Sequence, residues 1–343
     1  MADLEFKLKT LTQIWTGGAD GKPDKLHLTG IKGSIRWWYE ALIRGLGYCA
    51  CDPTDDSENY KRCELKLNEE KRKALKSEPD RFDKIIKSEM CPACYLFGCT
   101  GWSGKFNLRV TESDSNSPKK SSLTEKISFE LHFIEKKEFE EAENTLLKMT
   151  LKLIVDYGAI GGRTVFKPSE DTWKNVYTYK QIGIHADYGL IARLTNKEGE
   201  DISNIPTSQI LNNDNRIIIE NYLGKFTTVN KENHSDWPDL NYFWFVNGIY
   251  INRETHNEIV KRDPNNPKNY LPNADADFHK WLGGKPGEKD KPAISKKIFS
   301  FYSTRRCWGY TKKDDIMFYR LMEELIGCNI KNIICGKDVL NDL

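Results

Sequence analysis

The chain has 343 residues, 38% of them hydrophobic, enough to bury a substantial core and more naturally two domains than one. Charged residues make up 30%, but 52 Lys and Arg nearly cancel 50 Asp and Glu, so bulk charge selects neither a nucleic acid nor an acidic substrate and any basic surface must be local. No run of eighteen apolar residues occurs and the opening MADLEFKLKTLTQIW mixes charge with apolar side chains; neither secretion nor membrane insertion is expected, and the expected compartment is the cytoplasm.

Leu4, Phe6 and Leu8 alternate with Glu5, Lys7 and Lys9, the period-two pattern of a strand with one buried face. After the Gly-rich TGGADGKPDK and the dipeptide Thr29-Gly30, GSIRWWYEALIRGLG sets Ile35, Trp38, Leu42 and Gly45 or Leu46 on one helical face, with Ser34 as cap and Gly45 or Gly47 as stop. From Asp52 to Glu89 the sequence is charged and almost free of β-branched residues, contains the helical-looking LNEEKRKALK, and reads as an insertion across the surface, about 52–90. KISFELHFI alternates again through Ile127, Phe129, Leu131 and Phe133. A helix from about Glu138 to Tyr157 follows, with Phe139, Ala142, Leu146, Met149 and Leu153 at helical spacing and Gly158 as its stop.

Strand, helix, strand and helix over about 160 residues is an α+β arrangement, compatible with a split βαβ ferredoxin-like unit. A second α+β domain fits DYGLIARL, LNYFWFVNGIYI, KIFSFYS and a late helix around DDIMFYRLMEELIG, which divides the chain into 1–158 and 159–343. TESDSNSPKKSS, RDPNNPKNYLPNADAD and GGKPGEKDKP read as loops.

TGIKGSIRWWYEALIRG is the most informative stretch, joining two glycines and a helix start to Lys32, Arg36, Arg44 and a Trp pair. Backbone N–H groups there can meet a phosphate, the cations attract it whatever the base, and Trp37 can stack on a base. The same spacing allows a plainer outcome: Arg36, Glu40 and Arg44 lie four apart and can pair along a solvated face, with both tryptophans in the core. GAIGGRTVFKPS sets Arg163 directly after Gly161 and Gly162, either a backbone approach to a ligand or an interdomain turn. Between Lys285 and Lys313 nine Lys or Arg face two acids, interleaved with Phe299, Phe301, Tyr302, Trp308 and Tyr310, a pattern suited to single-stranded RNA or to a solvated loop beside a half-buried strand.

Nine cysteines, six of them from Cys49 to Cys99, suggest thiols or a metal rather than a disulfide framework. Cys91-Pro-Ala-Cys94 has the spacing of a zinc half-site or redox pair, and Cys49, Cys51, Cys63 and Cys99 are at hand as further ligands. A set of Cys51, Cys63, Cys91 and Cys94 would make a structural zinc that staples the charged insertion to the core, against the alternative of buried free thiols. For catalysis little is visible: the six histidines are scattered, His132 sits on the outward side of its strand, and no phosphate loop, GxGxxG or paired acids in a two-metal setting occurs.

LTQIWTGG, TGIKGSIRWWYEALIRG and CPACYLFGCTGWSGKF together resemble signatures of the RAMP superfamily, in an order and spacing similar to those of the first RAMP subunit of the type III-B (Cmr) CRISPR effector complex. The resemblance is dense over about the first 110 residues and continues only through GAIGGRT and the aromatic C-terminal region. It implies two ferredoxin-like, RRM-related domains packed together, a non-catalytic role in antiviral defence, and contact with guide and target RNA near the guide 3′ end beside other Cmr subunits. Carried over by position, it places RNA contacts on Lys32, Gly33, Arg36, Trp37, Trp38 and Arg44, on Gly161, Gly162 and Arg163, and on Arg305, Arg306 and Trp308. No cofactor is expected to be required, and the structural zinc stands as the alternative to free thiols. The C-terminal glycine-rich loop common in RAMP proteins is reduced here to RRCWGYT, with Gly309 its one glycine. Some RAMP relatives cut RNA, and for that alternative Asp20, Asp24 and His27 are the residues to test; a third reading makes the chain mainly a protein scaffold, with its tryptophans as interface anchors.

Overall fold

Phe6, Leu8 and Thr10 of strand β1 (Leu4–Thr10) are buried while Lys7 and Lys9 face solvent, as the alternation predicts. The computed structural model describes residues 4–12, 14–16, 26–53, 55, 60, 62–112, 128–161, 188–227, 234–266, 269–284 and 296–341. Gly162, Arg163, Asp20 and Asp24 lie outside them. Helix α1 (Leu28–Gly45), the helices α2 (Glu69–Ser77), α3 (Pro79–Glu89) and α4 (Pro92–Phe97), and the hairpin β2 (Phe106–Glu112) and β3 (Ser128–Glu135) follow β1. Helix α5 (Glu141–Asp156) then leads to β4 (Ile191–Asn196). These strands form one antiparallel sheet in the order β2-β3-β1-β4, with Leu4 opposite Phe133 and Leu8 opposite Phe129.

Helix α6 (Asn213–Leu223) packs on α5 and precedes a second sheet. There β5 (Phe243–Asn247), α7 (Arg253–Ile259), β6 (Ile298–Phe301), β7 (Arg306–Tyr310), α8 (Asp315–Gly327), β8 (Ile334–Cys335) and α9 (Gly336–Asn341) follow in chain order. The strand order is β6-β7-β5-β8, again antiparallel throughout, so both sheets run second, third, first, fourth. The chain is α+β. The first sheet takes its last strand from beyond residue 158, and RRCWGYT supplies strand β7 where a loop was expected. Among the described residues no helix is long and apolar enough to cross a membrane.

The expected face of α1 is right, but its start is not. It begins at Leu28, one turn and more before Ser34, with His27 in the cap position and no side-chain cap. Gly30 lies within its first turn because a side chain there would press to 3.2 Å against Thr16. Every residue from Trp38 to Arg44 is buried. A helix buried all round needs neighbours on both sides, and α1 has them: α4, α5 and β2 on one side, and α9 with the turn Leu240–Tyr242 on the other.

The joint between the two sheets is aromatic. Trp38 sits 5.0 Å from the Trp308 ring and 5.7 Å, edge on, from Phe243; Trp37 lies 5.9 Å from Phe243 and 5.8 Å from Tyr310; Phe299 stacks on Trp308 at 4.0 Å. Such pairs contribute roughly 0.5–1.5 kcal/mol each beyond burial. The chain leaves α5 through Gly158 because a Cβ there would stand 2.3 Å from the Trp38 ring.

The charged insertion is not confined to the surface. Helix α2 is capped by Asn68, whose side chain accepts the Lys71 N–H, and α3 buries Phe82 and Ile86. Lys87 of α3 reaches Asp83 at 2.9 Å and Glu140, before α5, at 2.5 Å. Beneath this rim the buried Lys105 pairs with Glu143 at 2.5 Å, and Glu143 also accepts the Glu140 N–H and the Tyr222 hydroxyl. A buried ion pair survives only with its remaining hydrogen bonds satisfied, and the Glu143 carboxylate has them.

Two outcomes are expected from this packing. Gly158→Ala forces an extra methyl into the Trp38 contact and should destabilise by about 1–3 kcal/mol in urea titration. His256, 2% exposed on α7, has its imidazole lowered to about 3, first by burial and then by the Lys296 charge. A folded value below the unfolded one makes its contribution complete above about pH 6.5 and lost as pH falls towards 3. By pH 5 this should cost about 2 kcal/mol, and His256→Gln should flatten that part of the stability–pH curve.

Candidate functional site

Four cysteines far apart in sequence meet at the end of α1. Cys51 follows the helix, Cys63 precedes a parallel bridge between Glu64 and Thr100, and Cys91 and Cys94 sit at the start of α4, where Cys91 is the cap residue and Pro92 the first helical one. They are 3%, 8%, 1% and 1% exposed, and their sulfurs all lie within 4.8 Å of one another. Cys51 Sγ is 3.1 Å from Cys94 Sγ and 3.7 Å from Cys91 Sγ. Backbone N–H groups point at the sulfurs: Cys51 and Cys94 donate to Cys91 Sγ at 3.5 and 3.4 Å, and Cys91 donates to Cys63 Sγ at 3.3 Å. Hydrogen bonds among the four pull the Cys51 thiol down and push Cys63, Cys91 and Cys94 up, so without an ion the cluster holds a negative charge on one sulfur and not on all four. All nine cysteines are free thiols, and the four sequence-predicted ligands are the ones brought together.

Arg36 belongs to this cluster rather than to a surface. Its Nε donates to Glu40 at 2.6 Å, one terminal nitrogen to the Gly98 carbonyl at 2.7 Å and the other to Cys94 Sγ at 3.2 Å. Arg44, 2% exposed, donates to the carbonyls of Ala50 and Pro238 at 2.8 and 2.7 Å and lies over the Trp237 ring. Burial pushes the Glu40 carboxyl up to about 7 against the pull of Arg36 and Arg44. The i, i+4 pairing is therefore present, but on a buried face and not a solvated one.

Most of the expected RNA contacts are turned inward. Trp37 and Trp38 fill the joint between the sheets; Trp308 is 3% exposed in the same joint; Arg306 reaches back to the Val155 carbonyl at 2.9 Å. Of the aromatics in the basic C-terminal stretch only Tyr302 is exposed, and residues 285–295 lie outside the described set. Gly161, with φ 99°, is half-buried against the Trp15 carbonyl.

Lys32, Gly33 and Arg305 remain at the surface. Gly33 is exposed and a side chain at its position would meet nothing. Lys32 lies over the Phe106 ring at 4.9 Å, and its ammonium is lowered by burial, then by Lys136 and Arg36. Lys136 donates to the Ser103 carbonyl at 2.6 Å. Among the described residues neither Lys32 nor Lys136 has a carboxylate partner. The helix end beside them carries no acid in its first turn. An uncapped N-terminus and two like charges make a local positive field, a feature the sequence hinted at through Lys32 but did not extend to Lys136. On the outer face of the first sheet the charge is paired only in part: Lys7 pairs with Glu130 at 3.7 Å, and both His132 and Lys197 approach Glu5, at 3.5 and 3.6 Å, while Lys9 and Arg109 are exposed.

Residues 7–166, somewhat under half of the chain, match the family model of the RAMP superfamily. The chain is also similar to a solved structure, Cmr1 from Pyrococcus furiosus in its apo form, at 12% identity and a TM-score of 0.43, with 98% of this chain and 99% of that chain covered. No curated protein matches it in sequence.

Proposed function

We propose that this chain is a non-catalytic, RNA-binding subunit of a type III-B (Cmr) CRISPR effector complex, working in the cytoplasm beside other Cmr subunits in antiviral defence. The observation that carries the reading is the pair Lys32 and Lys136, without a carboxylate partner among the described residues, beside the first turn of α1, which holds no acid, inside the segment that matches the RAMP family model. Phosphates of single-stranded guide or target RNA are the natural counter-charge, since backbone contact needs cations and N–H groups but no base-reading pocket. Placement near the guide 3′ end rests on the motif resemblance. The shared strand order, second, third, first, fourth, in the two sheets supports reading both as ferredoxin-like, RRM-related units.

On this reading the grip is at a helix end and its flank. Trp38 and Trp308 are buried in the inter-sheet joint and are not free to stack on bases or anchor a protein partner, while Trp37 is half-buried beside them. For the nuclease alternative, His27 occupies the cap position of α1 with its backbone N–H on the Thr16 hydroxyl, a structural placement.

The test is binding of the purified protein to labelled single-stranded RNA of guide length across a salt series, with the RNA recovered and run on a gel. Affinity should fall steeply with salt; Lys32→Ala with Lys136→Ala should weaken binding about tenfold and reduce the log–log salt slope by roughly one to two. Unchanged affinity in the double variant would remove Lys32 and Lys136 as the contact, and shortened RNA would make the chain a nuclease.

A further inference from the structure

We infer that Cys51, Cys63, Cys91 and Cys94 hold one structural zinc ion, with the Arg36 guanidinium as its outer-shell partner. Tetrahedral Zn–S bonds of about 2.3 Å place thiolate sulfurs roughly 3.8 Å apart. The observed sulfur separations, from 3.1 Å between Cys51 and Cys94 to an upper bound of 4.8 Å, span that value. Four irons or two irons with bridging sulfides would need a wider cage. Four buried cysteines supply the full set of four ligands that zinc takes, which leaves no position for water or substrate and makes the site structural and not catalytic.

The surroundings are those of a thiolate centre. Four thiolates around a divalent ion carry excess negative charge, which is costly in a buried place unless donors face it. Three backbone N–H groups of the cluster and the Arg36 guanidinium are aimed at the sulfurs, and Arg36 alone brings a full positive charge. Neutral thiols in an ordinary core require none of these donors. A disulfide would join two of the sulfurs and leave two behind, whereas the donors reach Cys63, Cys91 and Cys94 together.

The ion would also have something to hold. The chain between Cys51 and Cys91 is largely charged, with two short amphipathic helices that bury little more than Ala74, Phe82 and Ile86. Such a segment lacks a core of its own, and metal binding supplies folding free energy where burial does not. The ion ties three places together, the exit of α1, the strand-like bridge after Cys63 and the start of α4.

The deciding experiment is elemental analysis of the purified full chain, paired with release by a mercurial thiol reagent monitored with a zinc-sensitive dye. One zinc per chain is expected, released in step with modification of about four thiols. Cys49→Ser and Cys99→Ser should keep it, and Cys63→Ser should reduce it to near zero. Cobalt taken up in place of zinc should give the visible bands of a tetrahedral tetrathiolate site. A folded chain, checked by circular dichroism, with no zinc and with all its thiols free would overturn the assignment. So would iron with visible absorption in the protein as isolated, a disulfide among the four, or zinc that persists in Cys63→Ser. If Cys63→Ser does not fold, the stoichiometry, thiol count and cobalt spectrum of the unaltered chain still decide.

Discussion

Trp38 is wedged between Gly158 at the end of α5 and the Phe243 and Trp308 rings of the second sheet, and this contact sets the place of nearly everything else. It makes α1 an internal helix of the whole chain and not the outer layer of one unit. With Trp37 committed to Phe243 and Tyr310 in the same joint, one flank of the helix is sealed by rings, and its remaining polar side chains must find partners without water. Buried guanidinium groups are tolerated only when their donors are used. Arg36 meets that demand through Glu40, the Gly98 carbonyl and a cysteine sulfur; Arg44 spends two nitrogens on the Ala50 and Pro238 carbonyls and leaves its other terminal nitrogen 4.0 Å from Glu40 without a hydrogen bond.

Charge is handled differently in three zones. In the interior it is paired and hydrogen-bonded, as in Lys105 with Glu143. Around the insertion it forms a chain of bridges, Asp83, Lys87, Glu140 and Lys225, that ties α3 to the body. At the N-terminal end of α1, Lys32 and Lys136 have no carboxylate partner among the described residues. Exposed pairs add little stability because water screens them, so the middle zone matters mainly through the partly buried Lys87, while this last zone costs a little stability and creates a field for a ligand.

Much of this was legible from residues alone. The alternation in β1 and β3 and the helical period of α5 were clear because one face of each is buried and the other is not, which is what periodicity measures. The cysteine set was legible because the Cys91-Pro-Ala-Cys94 spacing belongs to a helix start with both sulfurs on one side. The start of α1 was missed because glycines at positions 30 and 33 read as loop, when Gly30 is needed for close packing on Thr16. The Trp pair and both arginines were placed towards RNA because a pattern along one helix cannot reveal that a second sheet will cover its far side. Strand β7 was hidden for the same reason: Cys307, Trp308 and Tyr310 are all buried, so no alternation survives to mark it.

The burial of α1 on both flanks has a consequence for how this sequence can vary in length. Each residue added to or removed from an α-helix rotates everything beyond it by about 100°. A helix with one free flank can absorb such a change by turning a different polar residue outward. In α1 the stretch from Trp38 to Arg44 faces packed neighbours all the way round, so a one-residue insertion or deletion upstream of it would bring Arg44 or Glu40 against the aromatic joint and carry Trp38 away from Gly158. Substitutions within the helix can be tested one contact at a time, but its register is shared by both halves of the chain, and lineages of this protein can lengthen or shorten only outside it.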